Sequence, residues 1–326
     1  MLSVLLGILM GVGVSVQTVV NTRLRTYIQS PLLASFISFT IGTLFLVLML
    51  VVQSAPIIPT ASVWQSSPWW FWTGGALGAV WITLNIFVFL QLGPVQTSIL
   101  PVLGQIVMGV LIDHFGWLGT HAKPASLLQI FGILCVLIGI VMAVASPLLK
   151  QWWLQRSQGQ STSVGIMSTN DANKSQGAWL WRILAVCAGA MVAMQTAINT
   201  QLNIALGSKI QASFISFFVG TVLLFFVVAI KDKRFSNARL ALGKNRPWWI
   251  WTGGIIGACF VMLSVVLVPI LGVGQLLVLV LFGQLVGSIC IEQFGLFGLP
   301  KKSLQMLQIL GLLLLLIGVG IIRLMA

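Results

Sequence analysis

Apolar residues in this chain come in long unbroken runs separated by short polar breaks, with neither the alternation of a half-buried strand nor the three-to-four spacing of a surface helix. The first runs cover 2–21, 32–52, 69–91, 95–112 and 127–145, and five more lie between Trp181 and Arg323. About 20 mostly apolar residues cross a bilayer core as a helix, and in lipid every backbone polar group must be bonded internally. Each run therefore predicts a spanning α-helix. The expected fold is an all-α membrane protein of ten transmembrane helices.

One stretch breaks the pattern. Residues 148–178 include SQGQSTSVGIMSTNDANKSQG, too polar to span and biased towards flexible-linker composition. The chain thus divides into a five-helix unit over 1–147, a linker over 148–178 and a second five-helix unit over 179–326.

The two units are copies. Gln17-Thr18 and Asn21-Thr22 return as Gln195-Thr196 and Asn199-Thr200, and Ser35 to Phe39 (SFISF) returns as Ser213 to Phe217, at an offset of about 178. The motif Pro68-Trp69-Trp70-Phe71-Trp72-Thr73-Gly74-Gly75 returns as Pro247-Trp248-Trp249-Ile250-Trp251-Thr252-Gly253-Gly254, and Gly104-Gln105 as Gly283-Gln284, one residue further on. A single inserted residue over so long a repeat excludes chance.

Composition removes the soluble classes: the chain is 58% hydrophobic and 6% charged, with mean hydropathy +1.07. Its net charge of +13 would raise nucleic acid as a partner in a soluble protein, but here the basic residues sit in loops and read as orientation signals. The partners expected are a lipid bilayer and a small-molecule substrate, with no nucleic acid, and the chain works as a monomer or a homodimer. Cys135, Cys187, Cys259 and Cys290 are scattered singly through apolar runs, so neither a metal nor a cofactor is expected. The first run has no basic segment before it and reads as the first helix rather than a cleaved signal.

Five helices per copy oblige the second copy to enter the membrane upside down, and loop charge tests this independently. The first loop, the linker, and the loops after the seventh and ninth helices hold fourteen of the 17 Lys and Arg; the opposite side holds only Lys123, Lys209 and Arg323. Loop 53–67 has no basic residue, whereas its counterpart 231–246 has six. The positive-inside rule then places the linker in the cytoplasm and both termini in the periplasm. The copies become inverted repeats, an architecture that gives a carrier two nearly equivalent states, one open to each side.

Catalysis has little to stand on. The acidic residues are Asp113, Asp171, Asp232 and Glu292, the histidines are His114 and His121, and no nucleophile, base and orienting group share a recognisable spacing. The informative residues are amides inside apolar runs. Gln17 and Asn21 lie four apart, on one face of the first helix, and Gln195 and Asn199 repeat them on the sixth. Each pair either lines a substrate site or holds helices together by hydrogen bonds. Gln105 and Gln284 follow glycines in the fourth helix of each copy, with Pro101 nearby in the first copy, and are further substrate-site candidates. Trp72 and Trp251 anchor at the headgroup level or stack on an organic substrate. Asp113 and its counterpart Glu292 end the fourth helix of each copy, either as coupling-ion sites or as interfacial charges.

The repeated QTxxNTxL, the SFxxGT at Ser38 to Thr43 and Ser216 to Thr221, and the PWWxWTGG motif resemble the YdcZ-like five-helix family of the drug/metabolite transporter superfamily. The resemblance covers both halves. It implies a ten-helix inner-membrane exporter akin to small multidrug exporters, but the membrane glutamate on which those depend has no counterpart in the first helix of either copy. The function expected is secondary transport, as an exporter, of a small organic metabolite or drug by alternating access. A lipid or lipid-linked precursor flippase and a non-transporting scaffold subunit are the alternatives.

Overall fold

The structure is a computed structural model that describes residues 2–124, 126–139, 141–142, 169–243, 246–298, 301 and 306–324. Its helices are α1 (Leu2–Ile28), α2 (Pro31–Val52), α3 (Ala61–Ser66), α4 (Gly74–Phe115), α5 (Leu127–Gly139), α6 (Thr169–Leu206), α7 (Lys209–Val227), α8 (Gly253–Leu271), α9 (Val273–Phe294) and α10 (Met306–Leu324). Among the described residues there is no strand. Among the described residues six segments are long and apolar enough to cross a membrane: α1, α2, Trp179–Leu206 of α6, Lys209–Asp232, α8 and α9. The described parts Leu100–Phe115, Leu127–Gly139 and Ile309–Ile321 are shorter apolar helices.

Duplicated sequence makes duplicated turns. After α1 the chain reverses through Gln29 at φ 57°, and Ser30 caps α2 by accepting the Leu33 N–H at 3.0 Å, with Pro31 at the first helical position. After α6 it reverses through Gly207 at φ 64°, and Ser208 accepts the Gln211 N–H at 3.3 Å. Glycine takes this left-handed conformation freely, whereas Gln29 does so against about 1 kcal/mol of steric cost.

The structure departs from the sequence reading at two boundaries. Among the described residues α6 takes in 169–178 of the expected linker, while 143–168 lie outside the described residues. The third and fourth apolar runs, expected as two helices parted at Leu92–Pro94, are joined by continuous helical backbone into α4, of 42 residues, although they pack on α6 in opposite directions. Their counterparts α8 and α9 do part, at Gly272, whose φ 86° and ψ 164° suit glycine alone. In the first copy Pro94 follows the equivalent Gly93, and its ring holds φ in the helical range at the loss of one backbone hydrogen bond. α4 is not straight: Gly74 at its start meets Asn199, Gly104 meets Val186 and Gly119 just past its end meets Gln201, so the chain runs down α6 and back up it within α4.

The main contacts run between the copies. α1 packs on α8 and α9, α6 packs on α4, and α2 packs on α7 and α8. Glycines set the approach: a side-chain carbon on Gly11 would overlap the Val280 carbonyl, and one on Gly189 would overlap the Pro101 carbonyl. Gly283 against Ile8 and Gly104 against Val186 form a second such pair. In each pair the partners are equivalent residues with the copies exchanged. Without a hydrophobic force between helices in lipid, such close backbone contact is a principal source of association. Large apolar side chains such as Leu5, Leu44, Leu48, Phe226 and Leu313 face outward, as a lipid-facing surface requires.

Two sets of loops gather at opposite ends of the bundle. At one end Asn237 Nδ2 donates to the Ile28 carbonyl at 3.0 Å, Ser30 Oγ donates to Asp232 Oδ2, the Arg246 guanidinium lies 4.0 Å from the Tyr27 ring centre, and Trp249 packs edge-on against Phe297. At the other end Gln201 Nε2 donates to the Gly119 carbonyl and Gln211 Nε2 to the Pro56 carbonyl, both at 2.8 Å. Arg23, Arg25, Lys231, Lys233, Arg234, Arg239 and Arg246 belong to the first end, whereas Lys123 and Lys209 belong to the second. The loops that charge alone assigned to a common side are the ones in contact.

Candidate functional site

The three repeated motifs, separate in sequence, form one contact unit in space, and the unit is made twice. Gly74, Gly75 and Gly78 at the start of α4 meet Asn199, the Ser216 carbonyl and Gln195 respectively. Gly253, Gly254 and Gly257 at the start of α8 meet Asn21, the Ser38 carbonyl and Gln17. The amides of the first helix of one copy therefore lie along the glycine face of the third helix of the other, four-residue spacing matched to four-residue spacing.

The polar accounting of these units is incomplete. Asn199, 1% exposed, donates from Nδ2 to Ser216 Oγ at 3.1 Å. Its Oδ1, like Oδ1 of Asn21, is buried and accepts no N–H or O–H hydrogen bond from the described residues. Each of these oxygens faces a glycine Cα, on Gly74 and Gly253 respectively, where a weak C–H···O contact replaces only part of the lost hydration. Two buried acceptors with spare capacity, one per copy, are thus built into the interface.

Between the two units runs the α2–α7 contact, where equivalent residues meet each other. Thr43 Oγ1 and Thr221 Oγ1 are 2.9 Å apart, and the Phe39 and Phe217 rings stack with centroids 4.9 Å apart and planes inclined by 27°. Gly42 packs on Phe217, and Gly220 on Phe39. Reciprocal contact of this kind is what a two-fold interface requires.

The remaining sequence candidates fall elsewhere. Gln105 and Gln284 are half-buried, next to the glycines through which α4 meets α6 and α9 meets α1, and the Gln284 carbonyl accepts Ser15 Oγ at 2.6 Å. One face of Trp72 is covered by Trp64, centroid to centroid 3.8 Å, while Trp251 packs on a cluster containing Leu24 and Ile28. Glu292 is half-buried near the end of α9. Asp113 caps the start of that helix: Oδ1 accepts the Val273 N–H at 2.8 Å and Oδ2 the Gly274 N–H at 2.7 Å. A carboxylate at a helix N-terminus satisfies free N–H groups and meets the positive end of the helix dipole. In the first copy the counterpart of Val273 is Pro94, which has no N–H to give.

Beside Asp113 lies a pocket that sequence reasoning missed. It is lined by Asp113, Thr120, His121, Lys123, Thr200 and Gln201, with Val268, Pro269 and Gly272 as its apolar wall. It draws on both copies at the end of the bundle poor in basic residues. No periodicity signals it, since its residues come from segments more than 60 positions apart. No group of three metal-ligating side chains occurs among the described residues.

A family model described as "Putative inner membrane exporter, YdcZ" matches residues 2–142 and 180–321, one match on each copy. No curated protein matches the chain. Nineteen solved chains do. One, described only as the crystal structure of a protein, is 13% identical, covers 97% of this chain with 96% of its own, and superposes with a TM-score of 0.59, which establishes a shared fold.

Proposed function

Since the chain belongs to the YdcZ family of inner-membrane exporters, we propose that it moves a small organic solute across the membrane by alternating access between two inverted five-helix repeats. The observation that carries this reading is the reciprocal contact of Thr43 with Thr221 and of Phe39 with Phe217. Halves related by a two-fold axis have two arrangements of nearly equal energy, and in a membrane these open to opposite sides. The ten-span topology follows if α4 carries the third and fourth spans. The segregation of basic residues to one end supports a cytoplasmic linker and periplasmic termini.

In this reading Gln17, Asn21, Gln195 and Asn199, with Gln105 and Gln284 deeper in the bundle, line the route between the copies. The spare acceptors on Asn21 and Asn199 favour a solute that carries N–H or O–H donors. The pocket beside Asp113 is its opening on the periplasmic side. Trp72 and Trp251 serve as anchors, and Asp113 acts first as a helix cap.

The test is a thermal-shift screen of the purified protein against a metabolite library, followed by counterflow of each hit in proteoliposomes. The expected result is a stabilising solute that exchanges across the bilayer, with exchange lost in Asn21→Ala and Asn199→Ala proteins that still fold. Hits that bind without exchanging, or exchange untouched by both substitutions, would overturn the assignment.

A further inference from the structure

We infer that segment 231–243, between α7 and α8, is a preformed binding surface for anionic phospholipid headgroups. The inference goes beyond the transport reading and does not depend on it. The segment begins with a π-helical turn, Val228–Asp232, and continues as a 3-10 helix, Phe235–Leu242. Its inner side is fixed to the end of α1 and the start of α2. Asp232 accepts from Ser30, Asn237 donates to the Ile28 carbonyl, and the small side chains of Ala238 and Ala241 pack with Leu24, Ile28 and Val228.

The outer side has the opposite chemistry. Lys231, Lys233, Arg234 and Arg239 are exposed, interleaved with Phe235, Leu240 and Leu242, the last 72% exposed, and Trp248 follows at 79%. Cations alternating with large apolar side chains at a membrane boundary suit the headgroup layer, where the apolar groups enter the acyl edge and the cations meet lipid phosphates. Arg234 lies 3.7 Å from Asp232, the one carboxylate on the segment, so Lys231, Lys233 and Arg239 carry the attraction. The equivalent loop of the first copy, 53–67, has no basic residue. A duplicated loop that carries six cations in one copy and none in the other points to a partner met on one membrane face.

The full-length protein, purified in neutral detergent with equal amounts of phosphatidylcholine and phosphatidylglycerol, is examined by native mass spectrometry for the lipids it retains. The protein is expected to hold phosphatidylglycerol in preference. Replacing Lys231, Lys233 and Arg239 by Gln should lower that preference at least tenfold, each headgroup charge contributing roughly fivefold in affinity. Arg234 is left in place because it pairs with Asp232. Lys123→Gln with Lys209→Gln, at the opposite end, should leave the preference unchanged. Equal retention of the two lipids by the parent protein, an unaltered preference in the triple variant, or an equal loss in the Lys123 and Lys209 variant would each overturn the inference.

Discussion

Thr43 and Thr221 face each other with 2.9 Å between their hydroxyl oxygens, and they are separated in the chain by 178 residues, the interval at which its first helices repeat. A two-fold relation between the copies, as proposed above, would bring each residue beside its axis against its own counterpart. Phe39 with Phe217 extends the relation along α2 and α7, and the exchanged contacts of Asn21 with Gly253 and Asn199 with Gly74 flank it.

That proximity is open to cross-linking. In a background with Cys135, Cys187, Cys259 and Cys290 replaced, Thr43→Cys with Thr221→Cys should form an intramolecular disulfide under mild oxidation, since the side chains already approach to bonding range. Gel mobility before and after reduction reads the result. If oxidation leaves monomer mobility unchanged, α2 and α7 do not meet at equivalent positions.

The glycine motif should tolerate no methyl group. Gly75→Ala and Gly254→Ala would each drive a carbon into a backbone carbonyl, of Ser216 and Ser38 respectively, and overpacking of this sort costs about 1–3 kcal/mol. Gly320→Ala, where nothing lies within 4 Å, is the matched control. Thermal midpoints in detergent should fall for the first two and hold for the third. A comparable fall in all three would detach the motif from packing.

Asp113 separates capping from ion coupling. Asp113→Ala should lower stability by about 1 kcal/mol by uncapping α9, while Asp113→Asn, which keeps one acceptor, should lose less. Thermal melts order the two variants. In transport assays the Asn variant should keep the pH profile of the parent, and loss of that profile would make Asp113 a coupling site.

The basic end of the bundle should open when its polar anchors are cut. Asp232→Ala removes the acceptor for Ser30, and Asn237→Ala removes the donor to Ile28. Limited trypsin digestion should then cleave more rapidly after Lys233, Arg234 and Arg239, all of them exposed. An unchanged digestion rate in the double variant would mean that Ala238 and Ala241 alone hold the segment.

The sequence was informative where the lipid constrains it. Long apolar runs declare helices because no other backbone arrangement survives in hydrocarbon, and the offset between Gln17 and Gln195, or Ser38 and Ser216, declares the duplication. The motifs marked residues that meet one another across the copies, but whether Asn21 met its own copy or the other depended on long-range packing, which no local pattern encodes. Thr43 and Thr221 stood inside the repeated SFxxGT, so their pairing was available once a two-fold contact was considered. The helical backbone of α4 across Gly93-Pro94 was hidden because the pair reads as a stop, although proline's fixed φ is itself helical; the reversal that such a stop signals does occur, between Gly78 and Gly104. The cap from Asp113 to α9 joins residues 160 positions apart and left no trace in spacing.

The inverted arrangement of the two copies is tested most directly by membrane-impermeant maleimide labelling of two exposed loop positions, Ser62→Cys and Ser236→Cys, in a background free of other cysteines. In intact spheroplasts the account predicts rapid labelling at 62 and labelling at 236 only after permeabilisation. Labelling of both positions from the same side would contradict it.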